Sequence, residues 1–181
     1  MSVYIAILRG INVSGQKMIK MAELRVHLAE IKLTNIQTYI QSGNIVFESE
    51  GMSSSDLEIA IQNKIKEKYG FDVPVLVKTP DELKDAVKRN PFIKEIEDDP
   101  KKVYITFLAH TPELTKVEAL KVVDYSPEKY VIVGKVVYIF PPNGYGNAKM
   151  NNNFFEKKLK VVATTRNWKT VNVLIEMSTR P

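Results

Sequence analysis

"IQTYIQSGNIVFES", residues 36–49, decides the fold class. Two strand-like runs, IQTYIQ (36–41) and NIVFES (44–49), flank Ser42 and Gly43, and a glycine-bearing two-residue connection between such runs signals a tight β-hairpin. A hairpin makes neighbouring strands antiparallel and argues against the all-parallel sheet of doubly wound proteins. Working outward, VYIAILR (3–9) is apolar on both alternating faces, as in a central strand covered on two sides. The stretch MIKMAELRVHLAEIKL (18–33) places Met21, Leu24, Leu28 and Ile31 at helical spacing. After the hairpin, SSSDLEIAIQNKIKEKYG (53–70) reads as a second helix, with Ser55 and Glu58 as a capping box and Gly70 as its stop. FDVPVLVKT (71–79) supplies a fourth strand, so the order is strand, helix, hairpin, helix, strand, that of a ferredoxin-like unit.

The stretch TPDELKDAVKRN (79–90) opens a short helix with Thr79 as cap, Pro80 at the first helical position and Glu82 completing the box. The polar run EIEDDPKK (95–102) marks a boundary, after which the same order begins again. KVYITFLA (102–109) reads as a strand, TPELTKVEALKVV (111–123) as a helix capped by Thr111, and KYVIVGKVVYIFPP (129–142) as a hairpin turning at Gly134 and Lys135. The tail reads as two helices, NNNFFEKKL (151–159) and RNWKTVNVLIEM (166–177), joined by KVVATT (160–165). The expected architecture is therefore α+β, with two ferredoxin-like βαββαβ-type halves and a helical C-terminal tail. Residues 1–90 form the first half with its connecting helix, and residues 100–181 form the second, ending in two helices.

The 181 residues, 44% of them hydrophobic, suffice for one ordinary domain or two small ones. Lys and Arg number 26 against 21 Asp and Glu, a net charge of +5 and a pI near 9.2 that favours anionic partners. Cysteine is absent, which removes disulfides, thiolate nucleophiles and cysteine zinc sites together. No apolar run reaches the roughly 18 residues of a membrane span, and MSVYIAILRGINV lacks a basic leader. The expectation is a cytoplasmic protein without a membrane partner.

His27 and His110 stand in no metal-ligand spacing, so no metal site is assigned and the cofactor is left unknown. The loop GINVSGQK (10–17) approaches a phosphate loop, but Gln16 separates Gly15 from Lys17 and Met18 stands where Ser or Thr belongs. A looser reading keeps it as an anion-holding loop ahead of a helix; a plain strand-to-helix connection fits equally. Ser42 has no nearby histidine to act as its base. FFEKKLKVVATTRNWKTVNVLI (154–175) carries Lys157, Lys158, Lys160, Arg166 and Lys169 in a pattern compatible with a helix-turn-helix reader. VYITFL (103–108) and GKVVYIF (134–140) compare with RNA-binding strands, provided that Tyr104, Phe107, Tyr138 and Phe140 face solvent.

Three motifs in one order, YIAILRGINVSGQKMIKMAEL (4–24), TYIQSGNIVFES (38–49) and ATTRNWKTV (163–171), resemble the bacterial DUF1697 family along essentially the whole chain. The resemblance implies an α+β protein of ferredoxin-like halves and assigns no activity. Its motif positions fall on Arg9, Gly10, Asn12, Gln41, Ser42, Gly43 and Asn44, and on Lys149, Thr165, Arg166, Asn167, Trp168 and Thr170. The chain departs from the pattern at Ala148, where serine is usual, and at Lys160, where glycine is usual.

Helix caps and anchors account for Thr, Asn and Trp, yet not for Arg9, Lys149 and Arg166 as well. One reading has these cations and the amides of Gln41, Asn44 and Asn167 hold a phosphate-bearing ligand, a nucleotide or nucleic acid, in a cleft between the halves. Asn12 and Ser42 belong to the same set, Thr165 caps the last helix, and Trp168 closes it or stacks on a ring. Against it stand a structural network satisfying buried backbone, a small-molecule enzyme with Lys149 as its titratable group, and an interaction scaffold with no ligand.

Overall fold

The apolar run at the N-terminus forms β1 (Ser2–Leu8), and in this computed structural model, which describes residues 1–179, it lies inside a four-stranded sheet. The chain continues through α1 (Met21–Ala29), β2 (Thr34–Tyr39), β3 (Asn44–Ser49), α2 (Ser54–Tyr69) and β4 (Val75–Lys78). The sheet order is β2-β3-β1-β4 and every pair is antiparallel. Side chains alternate across a strand, so Ala6 and Leu8 join Ile45, Phe47, Val75 and Val77 on the face packed with Leu24, Leu28, Leu57, Ile61 and Ile65. Ile5, Ile7, Val46 and Leu76 point the other way and are buried too, which explains why β1 is apolar at successive positions. Each such side chain contributes about 1.5–3 kcal/mol when fully buried.

The caps of α2 differ from the expected ones. Ser53, not Ser55, is the N-cap and exchanges hydrogen bonds with Asp56, because the helix starts two residues earlier than the Ser55 box requires and Asp56 then stands three residues beyond the cap. Glu58 is thereby freed to reach the Val77 N–H. Gly70 ends the helix in the left-handed conformation, as read. Glu30, just beyond α1, accepts from Lys64 and Lys68 of α2. Lys68, His27 and Lys64 hold its carboxyl down at about 2.

The second sheet is built from β5 (Tyr104–Leu108), β6 (Lys129–Val133), β7 (Val136–Phe140) and β8 (Ala163–Asn167) in the order β6-β7-β5-β8, again antiparallel throughout. The remaining helices of the chain are α3 (Pro80–Lys88), α4 (Ile93–Asp98), α5 (Leu114–Lys121), α6 (Asn152–Leu159) and α7 (Trp168–Thr179). Leu108, Val137, Ile139 and Ala163 pack with Leu120, Phe155 and Leu159 on one face. Ile105, Phe107 and Tyr138 occupy the other; Tyr138 donates to the Ala86 carbonyl at 2.7 Å, and burial pushes its phenol up to about 12. With Phe107 and Tyr138 buried, two of the four rings that a base-stacking surface requires are inside. Thr79 and Glu82 exchange the expected hydrogen bonds at the start of α3. Thr111 does not cap α5: the N-cap is Glu113, with no side-chain bond.

The largest correction is the C-terminal tail. Residues 163–165, expected in a linker between two helices, and Arg166 and Asn167, expected to open the last helix, together form β8, paired with β5 from Tyr104↔Asn167 to Leu108↔Ala163. Val161, Val162, Thr164 and Thr165 are β-branched and fit a pleated surface, and an open β5 edge gives their backbone groups partners that a linker would lack. A strand between α6 and α7 rules out the helix-turn-helix reading. The chain divides into one unit of Met1–Lys84 joined by the stretch from Val173, and another of Asp85–Asn172. Both repeat the same element order and strand order. Among the described residues no helix is long and apolar enough to cross a membrane.

Candidate functional site

In the first unit the polar motifs gather at one end of the sheet, where β1 and β2 end and β3 begins. Asn12, held at φ +53°, works as a staple. Its Oδ1 accepts from the Ile19 N–H at 2.8 Å, while its Nδ2 donates to the carbonyls of Ile19 (2.9 Å) and Gln41 (2.8 Å). The glycine loop is thus folded on itself and tied to the β2–β3 turn. Asn44 is fully buried and donates to the Tyr39 carbonyl and to Ser42 Oγ, both at 3.0 Å. The turn spans residues 40–43, longer than the expected Ser42–Gly43 pair, because Ile40 takes φ +51° and leaves the ladder. Gly43 has φ +84°, and its carbonyl accepts from the Leu8 N–H at 2.8 Å. Arg9 follows directly, its N–H donating to the Pro74 carbonyl at 2.9 Å.

Beside this turn lies a cavity of about 410 Å³ lined by Lys20, Met21, Ala22, Arg25, Thr38, Ile40 and Gln41. Arg25 donates to Thr38 Oγ1 at 2.7 Å, which ties the guanidinium of α1 to β2. Lys20 is the N-cap residue of α1 and makes no side-chain cap. Its ion pair with Glu23, 3.1 Å, joins side chains 83% and 52% exposed, a contact worth little in water. Gln41 was legible as a candidate. Lys20, Arg25 and Thr38 were not, since outward residues on a helix and an edge strand look like ordinary solvated positions until the hairpin brings them together.

In the second unit, the residues of β8 divide between the two faces of the sheet. Thr165 lies opposite Thr106, 2.6 Å between hydroxyls, and donates to Asn152 Oδ1 at 2.6 Å. Arg166 lies opposite Ile105, on the other face, and is 8% exposed. Its Nη1 donates to Thr164 Oγ1 at 3.0 Å and to the Thr165 carbonyl at 2.8 Å. Thr165 does not cap α7, because its side chain is already engaged within the sheet. Asn167 Oδ1 accepts the Thr170 N–H at 2.7 Å and is the cap. Trp168 opens the helix, its N–H donating to the Val103 carbonyl at 2.9 Å and its ring half-buried. Lys149 is exposed; its N–H and that of Met150 donate to Glu128 at 2.7 and 2.9 Å. The structure thus assembles Asn12, Gln41, Ser42 and Asn44 beside Arg9 in one unit, and places Lys149, Thr165, Arg166, Asn167 and Trp168 in the other.

A family model described as "Protein of unknown function (DUF1697)" matches residues 1–138. Among solved structures, the conserved bacterial protein SP0830 from Streptococcus pneumoniae superposes with a TM-score of 0.76 at 22% identity, covering 98% of this chain and 99% of that one. At that identity the likeness concerns the fold alone. No curated protein shows significant similarity to the sequence.

Proposed function

We propose a function for this chain, which belongs to the DUF1697 family, from its geometry: it binds a small phosphate-bearing ligand of nucleotide size in the cavity between the start of α1 and the β2–β3 turn. The observation that carries the reading is the cavity itself. Its volume of about 410 Å³ falls in the range of small-molecule sites, and Lys20, Arg25, Thr38 and Gln41 converge on it with donors and no carboxylate. In this reading Arg25 forks onto the phosphate, Lys20 adds a mobile charge, and Gln41 and Thr38 orient the remainder. Asn12, Ser42 and Asn44 hold the turn from behind, and Arg9 adds positive potential at the same sheet end. The net charge of +5 favours the same class of ligand.

The Thr165, Arg166, Asn167 and Trp168 group serves as framework, since its described bonds run to backbone and side-chain atoms of neighbouring strands and helices. We read each half as ferredoxin-like, supported by the repeated element order and the β2-β3-β1-β4 and β6-β7-β5-β8 arrangements. The two halves act as separate domains of a cytoplasmic protein.

Calorimetric titration with ATP, AMP and inorganic phosphate tests the ligand reading on the wild type, Arg25→Ala and Gln41→Ala. Loss of one charge-assisted hydrogen bond, about 1.5–3 kcal/mol, weakens binding by roughly tenfold or more. The proposal fails if no probe saturates the protein, or if both variants bind like the wild type. Tight binding of a labelled single-stranded oligonucleotide that survives physiological salt, with no nucleotide binding, would move the function to nucleic acid.

A further inference from the structure

Unpaired edge strands recruit other strands, and natural sheets blunt them. The two sheets have four edges: β2, β4, β6 and β8. Three carry a device. β2 slips register at a bulge between Thr34 and Gln37. In β4, the Val77 N–H is occupied by Glu58 Oε1 at 2.9 Å. In β8, the Ala163 N–H is occupied by Glu156 Oε1 at 3.1 Å. By contrast β6 runs from Lys129↔Phe140 to Val133↔Val136 without a register shift, and its sequence KYVIV contains no proline.

The ladder shows which groups of β6 point outward. The Leu108 N–H donates to the Lys135 carbonyl, so Lys135, Val137 and Ile139 turn their backbone toward β5, and Val136, Tyr138 and Phe140 turn theirs toward β6. Their partners Val133, Val131 and Lys129 are therefore engaged, and the N–H and C=O of Tyr130 and Ile132 face the open edge. Along that edge runs an apolar cavity of about 430 Å³ lined by Val117, Lys121, Val123, Tyr130, Val131 and Ile132. Leu114 and Val122 nearby in the chain are 72% and 84% exposed.

We propose that this edge binds a second copy of the chain, β6 pairing antiparallel with the partner's β6 about a two-fold axis at Val131. Charge selects the occupant. Lys121 is paired with Glu118 at 2.8 Å and Lys129 with Glu95 at 2.9 Å, so the edge is locally neutral and offers nothing to a charged peptide or a polyanion. A short neutral β-branched strand fits, and KYVIV is itself nearly such a strand. Pairing about Val131 sets Tyr130 against the partner's Ile132, each exchanging both backbone hydrogen bonds, and Lys129 against the partner's Val133, so no like charges meet. A standard interface buries about 800 Å² per partner. A five-residue edge alone supplies less, so Val117 and Val123, which line the cavity beside it, join the contact.

Light-scattering mass across a concentration series, with backbone amide exchange, tests this. The wild type is expected at twice the 20.6 kDa chain mass, with Tyr130 and Ile132 amides exchanging more slowly as concentration rises. Val131→Lys and Val131→Glu each set like charges face to face across the axis and give monomers; an equimolar mixture of the two restores the dimer. A wild type that stays monomeric to millimolar concentration overturns the proposal and leaves an extended peptide as the strand for this edge. A dimer indifferent to Val131→Lys overturns it equally. Should that variant fail to fold, the concentration dependence of wild-type Tyr130 and Ile132 exchange decides alone, its absence counting against the pairing.

Discussion

Gly43→Ala isolates what the hairpin turn contributes. A β-carbon at residue 43 would lie 2.6 Å from Leu8 Cβ and 2.9 Å from Ile11 Cδ1. Ile11 can rotate its terminal methyl away. Leu8 Cβ cannot retreat, because its strand is held between β3 and β4 and its N–H is bonded to Gly43 itself. Two terms therefore add. The left-handed backbone at φ +84° costs a residue with a β-carbon roughly 1–2 kcal/mol, and the forced overlap adds about 1–3 kcal/mol. Together they remove roughly 2–5 kcal/mol from a stability that is typically about 5–15 kcal/mol. For a chain of this size the midpoint of thermal unfolding falls by roughly 4–20 °C. Gly15→Ala is the control: its φ of +73° carries the first term, but nothing lies within 4 Å of the added carbon. Urea and thermal unfolding of both variants separate the terms. Equal midpoints for the two would refute the claim that close approach to Leu8, rather than turn conformation alone, requires glycine here.

Asn167→Ala removes the cap of α7 and is expected to destabilise by about 0.5–2 kcal/mol, with faster exchange of the Thr170 amide. Thr165→Ala should leave that amide unchanged, and acceleration by Thr165→Ala instead would restore Thr165 as the cap. The Glu30 carboxyl titrates at about 2 rather than the usual 4.5 because Lys68, His27 and Lys64 favour its charged form. A depressed folded pKa stabilises above the unfolded value, so the contribution is complete above about pH 4.5 and is lost as pH falls through about 2. Being an exposed network it is screened by salt; a carboxyl NMR titration should show the Glu30 midpoint rising toward 4.5 in concentrated salt, and an unmoved midpoint would contradict an ion-pair origin.

Much of the first unit was legible residue by residue. The continuous apolar run in VYIAILR, helical spacing in Met21, Leu24 and Leu28, and glycine at residues 43 and 70 are each signals carried within a short segment. The misreadings cluster where local signals compete. Ser53 and Ser55 both offer a cap hydroxyl, and only the position of the helix start selects between them. ATTRN carries β-branched residues beside cap formers, and pattern alone did not show that β5 had an open edge for it. The candidate site was half legible. Gln41, Ser42 and Asn44 stand out as a polar turn, whereas Arg25 and Thr38 are separated by twelve residues of helix, loop and strand and meet only in the fold.

By itself the sequence determined the α+β class, the hairpins, most strands and helices, and a net positive charge, because periodicity, turn chemistry and net charge are properties of short segments and of sums. Only the tertiary structure decided that residues 163–167 complete a sheet, that Asn12 staples one loop to another, that Arg166 and Thr165 face opposite ways, and that three edges are blunted and one is not. Those outcomes depend on which distant backbone groups find partners. A hydrogen bond or a cavity between segments far apart in the chain exists only once packing has brought them within about 3 Å.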